Sequence, residues 1–131
     1  GYSRSFTFWF AAKELDQYGF VVDFSSLKPL EEKLRNHFDH TFLINIDDPL
    51  KNVWQNLHSE GAIDLRVMKN VGMEHTAELV WEWANKILLE RDKGRTCCWR
   101  TEARENSFNS GGYKLFPQWY GDKETFNSIK S

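Results

Sequence analysis

Eight residues near the start of the chain, Ser5 to Ala12 (SFTFWFAA), restrict the fold more than any other stretch. Phe6, Phe8 and Phe10 alternate with Thr7, Trp9 and Ala11. A period of two belongs to a strand, whose successive side chains point to opposite faces. Aromatic rings on both sides require this strand to be at least partly covered on both. A second run of the same kind lies near the other end. There Cys97, Trp99, Thr101 and Ala103 alternate with Cys98, Arg100, Glu102 and Arg104, which gives an apolar face and a charged outer face.

Helical periods fill the space between the two strands. Leu27, Leu30, Leu34 and Phe38 recur at three- and four-residue steps with Lys and Glu between them. Pro29 falls in the first turn, where a missing N–H costs little, and Ser25 or Ser26 is placed to cap the helix. From Thr76 to about Glu90, a stripe of Val80, Ala84, Ile87 and Leu88 is broadened by Trp81 and Trp83. Thr76 reads as its N-cap, with Glu78 in the first turn, where an acid suits the helix dipole.

Weaker signals complete the order. Tyr18-Gly19 marks a turn, and FVVDF (Phe20 to Phe24) predicts a short extended segment. Asp47-Asp48-Pro49 interrupts regular structure, Leu50 to Leu57 reads as a short helix ending near Gly61, and IDLRVM (Ile63 to Met68) as a further strand. Lys69 to His75 is a connection. NSGGY (Asn109 to Tyr113) reads as a turn, Tyr113 to Phe116 as a return strand, and the tail from Pro117 as irregular. Strands at both ends with helices between predict an α+β fold over residues 1–131: an antiparallel sheet with two helices packed on one face.

A chain of 131 residues is long enough to bury a core. Ten Phe and six Trp call for extensive burial within or between subunits. A net charge of -2 argues against nucleic acid as the main partner. No run approaches the ~18 apolar residues of a membrane span, and no stretch reads as a signal peptide. The two cysteines, Cys97 and Cys98, are adjacent, so on a strand they point apart and cannot bridge. Two thiols with no disulfide framework suit a reducing cytosol.

Three places carry candidate chemistry. Asp39-His40 sets an acid beside an imidazole at a helix end. The pair could move protons near neutrality, or it could simply cap and solvate that end. His37 and His40 also form an HxxH pair, with no third metal ligand in view. Glu105 continues the alternation from Trp99 through Thr101 and Ala103 onto the apolar side. A carboxylate there needs a partner: either a buried Arg, or a ligand offering two parallel N–H donors. Thr76-Ala77-Glu78 is explained by helix capping, although the same amides could bind ligand atoms. No Walker loop, GxGxxG, CxxC or GxSxG motif occurs.

In this order the sites resemble the 6-pyruvoyl-tetrahydropterin synthase and 6-carboxytetrahydropterin synthase family. GFVVDFSSLKPLEEKL resembles its segment leading into the first helix, and FDHTFLIN its LDHxxLN segment. HTAELVWEWANKIL resembles its PTxE-initiated helix, with His75 in place of Pro. AREN followed by Tyr113 resembles its strand ending in Glu-Thr, with Asn106 in place of Thr. A rival register would make Glu102 the key acid; the strand alternation and the distance to Tyr113 favour Glu105.

The resemblance implies a tunnelling fold, in which subunit sheets join into a barrel and trimers stack into hexamers. It implies that His40 is a general acid/base oriented by Asp39, completing a triad with a Cys across subunits. Glu105 would grip the amino-pyrimidine edge of a pterin, with Thr76 framing the ring. It also implies a zinc-dependent, cytoplasmic lyase acting on 7,8-dihydroneopterin triphosphate and forming 6-carboxytetrahydropterin for queuosine, or else 6-pyruvoyl-tetrahydropterin. The family's zinc-binding HGH motif would place Gly1 on the glycine and Tyr2 on the second His, with the Cys and the other two His before Gly1. Either an N-terminal strand precedes the sequence as given, which an uncovered aromatic edge favours, or the metal site is altered.

Overall fold

The computed structural model describes residues 4–105 and 109–117. Strand β1 (Arg4–Ala12) runs antiparallel to a strand near the far end of the sequence, labelled β4 (Thr96–Glu105) once the elements between are numbered. Those elements are α1 (Lys28–Phe38), β2 (Phe42–Asn45), α2 (Lys51–Ser59), β3 (Leu65–Met68) and α3 (Met73–Asp92), and β5 (Asn109–Lys114) follows β4. The main sheet has the order β1-β4-β5, all antiparallel, and a second sheet pairs β2 with β3 in parallel.

The alternation in β1 does what its period requires. Phe6, Phe8 and Phe10 face the helices, where Phe10 joins Leu30, Ala84, Leu88 and Cys98 in the core. Lower on the same face, Phe6 and Phe8 pack against the cluster of Phe38, Met68 and Val80. Helices α1 and α3 thus cover one face of the sheet, as the pattern predicts. Thr101 fixes α3 to β4: its hydroxyl donates to the Ala77 carbonyl over 2.6 Å in a fully buried position. The other face carries a separate aromatic cluster. Trp9, Ala11, Cys97 and Trp99 pack together there, Phe116 stacks on Trp99 at 5.6 Å, and the Arg100 guanidinium lies 4.3 Å from the Trp9 ring.

Several local expectations are corrected. In β4 the facing changes at a β-bulge. Trp9 pairs with Arg100 but Phe10 pairs with Cys98, so Trp99 is the extra residue. Cys98, not Cys97 or Trp99, therefore shares the inner face with Thr101 and Ala103. Asn85 of α3 holds this kink, accepting from the Cys98 N–H and donating to the Cys98 carbonyl, each over 2.9 Å.

NSGGY is a strand, not a turn: it forms most of β5 and pairs through Gly111 with Ala103. Glycine is needed there because a Cβ at Gly111 would sit 2.6 Å from the backbone of Met73 and Glu74. The return strand is accordingly Asn109–Lys114 rather than Tyr113 to Phe116.

FVVDF forms no strand: residues 20–23 are bend and irregular backbone, and Phe24 opens a 3-10 turn. Asp16 accepts from the Tyr18 and Phe20 N–H groups, and Arg95 donates to the Glu14 and Val21 carbonyls, which fixes the segment as a loop with Val22 buried. The turn before α1 (Phe24–Leu27) is capped by Asp23 rather than by a serine; Asp23 accepts from the Ser25 N–H at 3.0 Å. These contacts pull the Asp23 carboxyl below its ordinary value, the Ser25 hydrogen bonds first among the causes.

The excursion from Phe42 to Met68 is a small βαβ unit, with Trp54 of α2 packed on Phe42 at 4.8 Å. Helix α3 opens three residues before Thr76, at Met73, with Gly72 in the cap position and no side-chain cap. Among the described residues no helix is long and apolar enough to cross a membrane. The tail expected to be irregular lies, beyond Pro117, outside the described residues, as do Tyr2 and Asn106.

Candidate functional site

Two of the four site residues, Thr76 and Glu105, meet around a third side chain that the sequence reading did not single out, Arg4. Arg4 shares the parity of Phe6, Phe8 and Phe10, and its register partner in β4 is Glu105. Both side chains therefore point to the helix-bearing face as direct cross-strand neighbours. Arg4 Nη1 donates to Thr76 Oγ1 at 3.0 Å and to the Val71 carbonyl at 3.5 Å, and Nη2 reaches the same carbonyl at 3.5 Å. The guanidinium carbon lies 5.8 Å from the Phe38 ring centroid. Burial pulls the Arg4 pKa down, and the charge of Glu105 opposes that shift. Arg4 Nε is shut off from water and has no hydrogen-bond partner.

Thr76 is fully buried and bonds through its hydroxyl to Val71 O as well as to Arg4. That is a different task from the N-cap role expected of it, because it sits one turn inside the helix and ties the β3–α3 connection to β1. The connection is itself fixed: Asn45 accepts from the Val71 N–H at 2.7 Å and Asn70 from the Gly72 N–H at 2.8 Å. Glu105 is half-buried and, among the described residues, has no ion-pair partner within 4 Å. The arginine opposite forms no ion pair with it.

Asp39 and His40 lie just past the end of α1. Asp39 is the C-cap, its N–H donating to Arg35 O at 2.9 Å, and His40 has a left-handed backbone with φ of 53°. Both side chains are exposed, and no hydrogen bond or ion pair joins them to each other or to Glu105 among the described residues. Within the single chain the helix-end role is the one their geometry fills.

His37 turns the other way. Its ring stands edge-on to Phe38 at 4.6 Å and to Trp83 at 5.2 Å, and its Nε2 is buried without a partner. Burial, with smaller contributions from Arg66, Lys33 and Arg4, holds its pKa below the ordinary histidine value. His37 lines a groove of about 620 Å³ with His75, Glu78, Glu82 and Trp83.

Among the described residues no three His, Cys, Asp or Glu side chains converge as a metal site. His37, walled in by rings, and His40, exposed beyond the helix, do not act as a pair. These residues do not fit a zinc ion. Cys97 and Cys98 are both free, and burial pushes both thiols to about 12, so neither supplies a thiolate near neutrality.

A three-stranded antiparallel sheet with helices on one face, bearing an inward acid at a strand end beside a helix start, defines an α+β protein of the tunnelling-fold class. The chain belongs to the 6-pyruvoyl tetrahydropterin synthase family, whose model matches residues 1–114. Members are in general zinc-dependent lyases of pterin metabolism that form oligomers. A crystal structure of the uncharacterized protein WS1659 from Wolinella succinogenes has a similar fold, with a TM-score of 0.65 at 20% identity, over 82% of this chain and 73% of that one. No curated protein matches the chain.

Proposed function

We propose that the chain captures a dihydropterin through Glu105 and acts as a lyase on 7,8-dihydroneopterin triphosphate, forming 6-carboxy-5,6,7,8-tetrahydropterin, the queuosine-precursor step. The observation that supports it is Glu105, half-buried, without an ion-pair partner among the described residues, and set on the inner face on the side of Thr76 and the start of α3. A carboxylate so placed can accept two parallel N–H bonds from a 2-amino-pyrimidine edge. His40 would move protons on the substrate side chain, with Asp39 orienting it once a neighbouring subunit closes the site. The alternative product within the same reading is 6-pyruvoyl-tetrahydropterin.

A second reading is ring binding without turnover. It is favoured by the exposure of both Asp39 and His40, which no hydrogen bond or ion pair joins among the described residues. Calorimetric titration with neopterin tests the shared part. Glu105→Gln puts an amide N–H against the ligand's own donors, so binding should weaken roughly 10- to 100-fold with the fold intact. Unchanged affinity would remove Glu105 from the site. Release of triphosphate from 7,8-dihydroneopterin triphosphate then separates the lyase, which releases it, from the binder, which does not.

A further inference from the structure

We infer that Arg4 selects the ligand: with Glu105 it forms a donor–acceptor pair that requires a ring carbonyl next to the two ring N–H donors. The inference rests on Glu105 being the ring-gripping acid and adds a second determinant to that site.

Three observations carry it. Arg4 and Glu105 are directly opposite in the register and share a face, so a ligand edge reaching one carboxylate oxygen lies beside the guanidinium. The guanidinium is held by Thr76, by Val71 and over Phe38, and those bonds use only its Nη groups. Its Nε–H is left without an acceptor, although a buried charged donor is among the costliest groups to leave unpaired. Glu105 does not fill the gap, since no ion pair joins the two among the described residues. The pair thus keeps one acceptor and one donor unused, side by side.

A 2-amino-4-oxo pyrimidine edge is the complement. Its N3–H and 2-amino group face Glu105, and its 4-oxo group accepts from Arg4. A 4-thioxo edge keeps the N3–H and 2-amino donors for Glu105 but offers the guanidinium a sulfur, a much weaker acceptor than the oxygen. Discrimination should therefore fall on the single substituent at position 4.

The test compares pterin with 4-thiopterin by calorimetry, at a pH where both rings are neutral, on the whole chain. Wild type should bind pterin about tenfold more tightly, the low end of what one charge-assisted hydrogen bond is worth, since sulfur weakens that bond. Arg4→Met keeps the apolar stem without the head, and Arg4→Lys keeps the charge without the Nε–H; each should narrow the preference to less than about threefold. Equal binding of the two rings by wild type overturns the inference while leaving Glu105 as the ring-gripping acid. So does an undiminished preference in either variant. Binding of neither ring overturns both. If Arg4→Met fails to fold, the Arg4→Lys and wild-type comparisons still decide.

Discussion

His37 shows how much a side chain's surroundings outweigh its identity. In the sequence it was half of an HxxH pair, yet in the fold it stands between Phe38 and Trp83 with a buried ring nitrogen. Its folded pKa lies below the unfolded value, so the unfolded chain binds the proton more tightly. Stability should rise with pH in that window and be lost as pH falls below about 6.5. Thermal unfolding of wild type and His37→Phe between pH 7.5 and 5 reads this directly: wild type should lose melting temperature on acidification more steeply than the variant. Parallel curves would mean that His37 stays solvated. The parity of Glu105 was counted from Trp99, which the bulge puts on the other face; only the stretch beyond it, Thr101, Ala103 and Glu105, keeps one alternation. Arg4 carried the same signal as a charge on a row of Phe, and became meaningful only when pairing set it opposite Glu105. Thr76 looked like a cap because threonine usually is one; burial and the Arg4 bond give it another role.

At the scale of elements, long periodic segments were the readable ones. The strand at Ser5 to Ala12, helix α1 and helix α3 follow from spacing, since each buries a continuous face. The errors fall where a tertiary contact overrides local chemistry. Gly111-Gly112 reads as a turn in isolation, but close passage of β5 over the first turn of α3 is what demands glycine. The bulge at Trp99 left no signal in the sequence, because its cause is Asn85, thirteen residues upstream of Cys98. Asn85 supplies both hydrogen bonds that the kinked backbone at Cys98 cannot get from β1. Asn85→Ala should therefore cost about 1–3 kcal/mol in urea unfolding, with the change in midpoint rather than in slope. A loss below ~0.5 kcal/mol would show that water satisfies Cys98 equally well.

For the whole molecule, the layer arrangement was readable from the spacing of apolar residues, while the parallel β2–β3 pair was hidden by short strands and a weak alternation. The aromatic content points past one chain. The face of the sheet away from the helices carries Trp9, Trp99 and Phe116, and Phe116 is still 44% exposed. The family's members assemble into oligomers. Sedimentation equilibrium at micromolar concentration should give a trimer or hexamer; a monomer would count against assembly through this sheet. The exposed Asp39-His40 pair fits the same picture, since a neighbouring subunit could supply the contacts that one chain does not.

The extra residue at Trp99 divides β4 into two stretches whose inside and outside are swapped. Whether an acid near the strand's end looks toward the helices is thus decided by counting from the kink, not from where the strand starts. A homologue that had lost that one residue could keep every motif letter and still turn its glutamate to the opposite side.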